Sequence, residues 1–454
     1  MSHVSVFAWS LLLLLCVFLL SLVISAGMLV AQWILPTFGF LTLLEAQNGS
    51  MYNSSIDRLW YPPTSNPIND LNTVIDGTGV YGFIFNGSYA PVSNDYYGGY
   101  DYCNMPHVNK VQYLKPSDNY TLEYVEVIHR HHKRTPYAAN TFPQESYSWD
   151  CDDEGLFYYG KPLNPTGNGS ASTYWSVYTS SSNPFPPQGF NGTCQFPQIT
   201  KGGLDDSWQH GKDLYEVYHD LLSFLPDEPG NQISYRVTNN VITSQVAGMV
   251  INAMYNPPTD FPLSIQPASI DSLEPAYTCP SATALYNTYA VGSTNPNWTA
   301  HLTASQPLYA TLDSISGVSP TNPGFHQSWD HYFDNLSSRL CNTKPLPCNI
   351  SNPTFCITPS LATSVFRLGL YEYDYIYRSS PHSLSYSTAS YGVFIAELTQ
   401  NIRSRLVGGP IKYTHNVAHD GSIALLLSIL QIDKMVWPGL GAELMEMEKM
   451  KRRS

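Results

Sequence analysis

The sequence predicts an α/β fold: an open mixed sheet flanked by helices. Three observations lead there. Strand-like runs alternate with runs of helical period along the chain. Residues able to do polar chemistry gather where strands end, as at Arg130–Arg134 and His419–Asp420. The apolar fraction is 43%, enough for a packed core and too high for a disordered chain.

Taken in order, "GVYGFIF" (Gly79 to Phe85) is a short strand candidate in a turn-rich region. "YTLEYVEVI" (Tyr120 to Ile128) is β-branched and aromatic, and reads as a strand running into a basic cluster. From Asn140 to Thr200 the Ser, Pro, Gly and Tyr content predicts long loops. Between Gly203 and Pro226, Trp208, Leu214, Val217, Tyr218, Leu221 and Leu222 recur at helical spacing. A short strand ending near Val237 and a helix through Tyr255 follow. Ser390 to Leu406 is an amphipathic helix, Ile411 to Val417 a strand, and an apolar helix comes after Asp420.

The 454 residues carry a net charge of −13, which disfavours nucleic acid or an anionic membrane surface as a general partner. An anionic ligand would need a local positive pocket. Eight cysteines are dispersed without a CxxC pair, so zinc-ribbon and thioredoxin-like readings fail. With Cys16 in an apolar leader, the remaining seven predict disulfides plus one odd thiol. Sequons at Asn48, Asn53, Asn86, Asn119, Asn168, Asn191, Asn297, Asn335 and Asn349 predict N-linked glycans. No Asp, Glu, Lys or Arg precedes Glu45, and Val6 to Ile24 is long enough to cross a bilayer. Residues 1–46 are thus expected to be a cleaved signal peptide or an uncleaved signal anchor through residues 4–44, and either places the rest outside the cytosol.

The chemistry concentrates in Arg130-His131-His132-Lys133-Arg134-Thr135-Pro136. Guanidinium forks bind phosphate oxygens two at a time. An imidazole between two of them can attack phosphorus and form a phosphohistidine. The leaving alkoxide then needs a proton, which a carboxylic acid such as Asp420 supplies, while its neighbour His419 can also hold phosphate. A metal site on His129, His131 and His132 is the rival reading, but no Cys or Glu partner stands at a recognised spacing, so no metal and no cofactor is expected. His107, His210, His219 and His415 read as surface or packing residues, and Glu372 and Asp374 as partners of Arg367 or Arg378. Lys133 and His132 are candidates for tuning the pocket's potential.

Arg130-His131-x-x-Arg134-x-Pro136 resembles the RHGxRxP signature of the histidine acid phosphatases, the branch with fungal phytases, and His419-Asp420 resembles that family's distal HD motif. "ITKGGLDDSWQHGKDLYEVY" and "VWPGLGAE" are also similar, so the resemblance runs from about Tyr120 to Glu443. It implies His131 as nucleophile, Asp420 as proton donor, and Arg130, Arg134 and His419 as phosphate ligands. Arg236 is the best-placed match to the family's third phosphate-binding arginine, with a structural ion pair as the alternative reading. The implied fold has a mainly helical, loop-rich cap inserted between the two active-site motifs: core from 47–160 and 385–454, inserted cap and core elements within 161–384.

Two departures carry expectations. His132 stands at the family's glycine, where it would crowd the phosphate or turn outward. The tail "LMEMEKMKRRS" replaces an expected apolar strand, implying a lost edge strand or an altered chain end. The implied function is an extracellular acid phosphomonoesterase, with no metal, acting on a small phosphomonoester. Lys110, Lys115, Lys161, Lys201 and Lys212 are scattered, which favours broad specificity over phytate. The alternative is a weak or inactive phosphatase-like extracellular binding protein.

Overall fold

The computed structural model describes residues 56–79, 103, 108–111, 113–144, 149–151, 180, 182–183, 192–257 and 261–432, and the backbone of 443–452. The apolar leader and nearly all of the Gly79 to Phe85 strand candidate lie outside the described residues.

The strands are β1 (Tyr120–Arg130), β2 (Ile233–Val237), β3 (Ser264–Ile265), β4 (Cys348–Asn349), β5 (Asn352–Cys356), β6 (Tyr413–Ala418) and β7 (Glu443–Arg452). The α-helices are α1 (Leu71–Asp76), α2 (Lys201–Tyr215), α3 (Val241–Tyr255), α4 (Pro280–Tyr289), α5 (Pro296–Ala304), α6 (Gln306–Ser316), α7 (Pro323–His326), α8 (Asp330–Cys341), α9 (Pro359–Asp374), α10 (Ser383–Leu406) and α11 (Asp420–Ile429). The main sheet has the order β3-β2-β6-β1-β7. Its first four strands run parallel and β7 pairs antiparallel with β1, so the sheet is mixed.

Burial on both faces explains why β1 shows no clean alternation of apolar and polar residues. From Tyr124 to Arg130 every residue is buried, as in parallel sheets covered on both faces. Side chains alternate: Val125 and Val127 pack with Leu214 of α2 and Val246 and Val250 of α3. Ile128 points the other way, against Phe394 of α10 and Ile423 and Leu426 of α11. A separate core of α6, α8 and α9, built on Leu312, Trp329, Leu336 and Phe366, forms a helical layer from segments between the two motifs.

The edge strand expected to be missing is present. Glu443–Arg452 pairs with β1 from Tyr120 to His129. Backbone pairing does not require a uniformly apolar run, and Met445 and Met447 alternate with Glu446 and Glu448 at the strand period of two. Charged residues on an edge strand also discourage pairing with other chains.

Disulfides join Cys103–Cys341, Cys151–Cys194 and Cys348–Cys356, and Cys279 is the remaining thiol among the described residues. Asn119 and Asn297 are exposed sequons. Asn335 is not available: it is 1% exposed, and its amide donates to the Asn140 carbonyl at 2.8 Å. No helix of the described residues is long and apolar enough to cross a membrane.

The α2–α3 crossing depends on Gly211. A Cβ there would lie 2.5 Å from the Val250 carbonyl oxygen, a backbone atom that cannot swing aside. Gly211→Ala gains helix propensity of about 1 kcal/mol, but overpacking typically costs about 1–3 kcal/mol. The clash is with backbone, so the cost wins. Gly211→Ala is expected to lower unfolding stability by about 1–2 kcal/mol, read from denaturant midpoints at unchanged slope.

Candidate active site

The register of the parallel strands assembles the site. Arg130 at the end of β1 pairs with Ala418 at the end of β6, so the residues that follow, His131 and His419, leave the sheet side by side. The His131 backbone N–H donates to the Ala418 carbonyl at 3.0 Å, and the two imidazoles lie 5.3 Å apart, edge to face. They open on a pocket of about 300 Å³ at the carboxyl edge of the sheet, lined also by Arg130, Arg134, Asp420 and, from the helical layer, Asp334. The turn after β1 is held from behind: Thr135 N–H donates to the Gln198 carbonyl at 2.9 Å, and Thr200 N–H to the Lys133 carbonyl at 3.1 Å. Gly203 lies so close to that turn that a Cβ would come 2.1 Å from the Lys133 oxygen.

His131 is 1% exposed, and its Nδ1 is 2.9 Å from the His132 carbonyl oxygen. A carbonyl only accepts, so Nδ1 carries the proton and Nε2 presents a lone pair. Burial, then the charges of Arg130 and Arg134, hold this imidazole well below the usual histidine range. It is therefore neutral. In the resting site Arg134 Nε–H approaches that lone pair at 3.3 Å.

Asp420 is the first residue of α11, and its Oδ1 accepts the Gly421 N–H at 2.9 Å. Its Oδ2 lies 3.5 Å from Arg130 Nη2, and the side chain is 30% exposed, so solvent can reach it. Burial pushes its carboxyl up, but Arg130, His419 and Arg134 together outweigh this and hold it below the usual carboxylate range. Tyr373 O–H donates to the same Oδ2 at 3.4 Å. The Nε2 of His419 is 2.8 Å from the Thr238 hydroxyl at the end of β2 and 3.2 Å from Glu274.

Arg134 is fixed by a residue that the sequence pattern did not single out. Its Nη1 meets Asp334 Oδ1 at 2.9 Å, and its guanidinium stacks over Tyr137 at 4.3 Å. Asp334 Oδ2 in turn accepts from the Tyr137 N–H at 3.0 Å and the Asn140 amide at 2.7 Å. One buried carboxylate of α8 thus ties the helical layer to the turn that carries His131.

Arg236 is not brought to this pocket. It sits on β2 with Nη1 2.7 Å from Glu397 of α10 and Nη2 2.8 Å from the Ser272 hydroxyl, a structural ion-pair network. Strand alternation sends it to the face opposite Tyr235 and Val237, while the chain reaches the pocket's edge only at Thr238. Lys133 also turns away, to Asp206 at 3.0 Å. His132 neither crowds the pocket nor reaches solvent: it is 4% exposed and points between sheet and α2, its Nε2 3.2 Å from His210 Nδ1. It is absent from the described non-glycine residues with positive φ, so glycine's freedom is not needed there. Glu372 pairs with His301 at 2.7 Å and the Trp329 N–H at 2.8 Å rather than with an arginine. Arg367 is used instead by the carbonyls of Val74 and Gly79.

An imidazole lone pair between two guanidinium groups, with a His-Asp pair across the pocket, joins both sequence motifs in one place. The likeness is to the histidine acid phosphatases. Counting factor 60 of Dictyostelium discoideum is 25% identical over 342 residues, covering 71% of this chain and 75% of that protein. Among solved structures, Klebsiella sp. ASR1 phytase has 15% identity, covers 70% of this chain and 74% of its own, and superposes with a TM-score of 0.45. The phytase from D. castellii has 14% identity, coverage of 86% and 83%, and a TM-score of 0.33. The Bifidobacterium longum multiple inositol polyphosphate phosphatase, in complex with inositol hexasulfate, has 12% identity, coverage of 73% and 80%, and a TM-score of 0.37. No protein-family model matches the chain.

Proposed function

We propose that the chain is an extracellular phosphomonoester hydrolase acting through a phosphohistidine. The observation that carries this reading is the neutral, Nδ1-protonated His131, its Nε2 lone pair directed at a pocket that Arg130 and Arg134 make locally positive. An arriving phosphate takes the Arg134 Nε–H away from that lone pair. His131 Nε2 attacks phosphorus, the P–O ester bond breaks, and Asp420 gives its proton to the departing oxygen. A water then attacks phosphorus and loses its proton to Asp420 as the P–N bond breaks, releasing inorganic phosphate. The N-terminus of α11 and the two arginines face the charge on the phosphoryl oxygens. Three disulfides support folding in an oxidising compartment. The test is hydrolysis of an aryl monophosphate by the purified chain at acidic and neutral pH. Turnover that vanishes in His131→Ala supports the reading, and a trace rate equal in both proteins removes it.

Charge at the mouth bears on the substrate. Glu274 and Asp330 line the pocket with side chains 42% and 53% exposed. A substrate with one phosphate keeps its charge beside Arg130 and Arg134, whereas a polyphosphorylated ring sets further phosphates against these carboxylates. Because like-charge juxtaposition costs several kcal/mol, kcat/KM for an aryl monophosphate is expected to exceed that for inositol hexakisphosphate by about tenfold or more. Equal values would contradict the charge argument.

A second reading is a phosphate-binding protein of weak or absent turnover. Two observations favour it: Arg130 and Arg134 are the arginines of the pocket lining, with Arg236 committed elsewhere, and the name of the relative Counting factor 60 states no reaction. Phosphate binding without hydrolysis of any aryl ester would select it.

A further inference from the structure

Behind the pocket, between the sheet and α2, lies a cluster of imidazoles that the phosphatase reading leaves unused. His129 of β1, His132 of the following turn, His210 of α2 and His415 of β6 are 0%, 4%, 0% and 0% exposed. The strands place them together: His415 is flanked by Val127 and Tyr235 in register, and His129 by Val417, on the face that α2 covers. His210 lies one turn before the buried Leu214 on the same helix. One nitrogen from each of His129, His132 and His210 falls within a span of 4.8 Å. His132 Nε2 and His210 Nδ1 are 3.2 Å apart, and His129 Nε2 and His415 Nε2 are 2.7 Å apart.

We propose that His129, His132 and His210 form a binding site for a divalent transition metal of the zinc class, with His415 in reach as a fourth ligand. A tetrahedral ion about 2.1 Å from each nitrogen holds its ligands about 3.4 Å apart. The His132–His210 separation already approaches that, and a nitrogen of His129 lies within 4.8 Å of both. The proton position of His129 suits an ion, and the proton shared between His132 Nε2 and His210 Nδ1 would be displaced when the ion binds. His129 Nδ1 is 2.8 Å from the Arg130 carbonyl, which only accepts, so its Nε2 bears the lone pair. A ring N–H held by a backbone carbonyl is the usual support behind a metal-bound histidine.

His415 Nε2 donates its proton to His129 and its Nδ1 accepts from the Tyr413 hydroxyl at 2.8 Å. Moving that proton to Nδ1, where the Tyr413 oxygen can accept it, frees His415 Nε2 to ligate. An all-imidazole donor set with no carboxylate or thiolate selects zinc, copper or nickel over magnesium or calcium. The site is separate from the proposed reaction, but the ion would brace the turn that bears His131, because the His132 carbonyl holds the His131 Nδ1 proton.

The test uses the full chain, stripped with a chelator, dialysed against zinc chloride and then against buffer, with zinc counted by mass spectrometry. One zinc per chain is expected, retained in His131→Ala and lost in the double variant His132→Gln, His210→Gln. Cobalt(II) loaded in its place is expected to show the intense visible band of a tetrahedral nitrogen site. That band is read on the parent protein, so it decides the matter even where the double variant fails to fold. A parent chain that retains no zinc, a double variant that retains as much, or cobalt with only the weak octahedral spectrum each overturns the assignment.

Discussion

Replacing His131 with alanine is expected to lower kcat for an aryl monophosphate by at least about 10³-fold, since removing a nucleophile leaves only binding and charge stabilisation. Affinity for inorganic phosphate should change little, because Arg130 and Arg134 remain. Asp420→Asn is expected to cost about 10²–10⁴-fold, the usual contribution of a positioned acid. The loss should be larger for an alkyl than for an aryl ester, because a phenolate leaves with less help. Protonation sets the pH profile. Asp420 must carry its proton to act as acid, and its carboxyl is held below the usual range in the free site. Its competent fraction therefore falls as pH rises from the acidic side. His131 must be unprotonated, and it stays so below the pH at which an ordinary histidine would charge. Both shifts place the maximum of kcat/KM on the acid side of neutrality. A profile of kcat/KM against pH should fall toward neutral pH in the parent and flatten in Asp420→Asn. A rise toward alkaline pH in the parent would contradict these roles.

Asp334→Ala carries the largest expected effect on stability. It leaves Arg134, 3% exposed, without the carboxylate that neutralises it, and removes the acceptor for the Tyr137 N–H and the Asn140 amide. Truncating one partner of a buried ion pair costs about 3–5 kcal/mol, because the surviving charge stays buried. The burial cost of that charge exceeds the loss of an exposed surface pair, which is about 0–1 kcal/mol. The double variant Asp334→Ala, Arg134→Ala should recover part of the loss, because it removes the stranded cation. Denaturant unfolding of the three variants measures both terms. A loss under about 1 kcal/mol in Asp334→Ala would mean that Arg134 reaches solvent, against its burial.

Much of the sheet was legible because its strands and helices obey their periods. The strand expected from Tyr120 to Ile128, the helix that carries Leu214, and the strand before His419 all appear near their expected positions. The helix at Ser390 begins earlier, at Ser383. Its first turns bury Ser383, Ser385 and Ser387, and small hydroxyl residues give no apolar period to read. Of the two readings of Arg236, phosphate ligand or structural ion pair, the structure shows the ion pair, because spacing along the chain does not record on which face of β2 the side chain emerges. Asp334 was missed because its role rests on a contact with Arg134 from a distant helix, which no local spacing records. The histidine cluster did leave a signal: His210 is four residues before Leu214, and His415 alternates with Tyr413 and Val417. Both are buried-face positions, and what the sequence withheld was that two such faces meet.

The most direct test of the central claim is to mix the chain with a phosphorus-labelled aryl phosphate, quench within a turnover, and map the label by mass spectrometry under alkaline conditions that preserve phosphohistidine. The label is expected on His131, to accumulate further in Asp420→Asn with an aryl ester, and to be absent from His131→Ala. Hydrolysis that proceeds with no labelled protein, or with the label on another residue, would contradict His131 as the nucleophile.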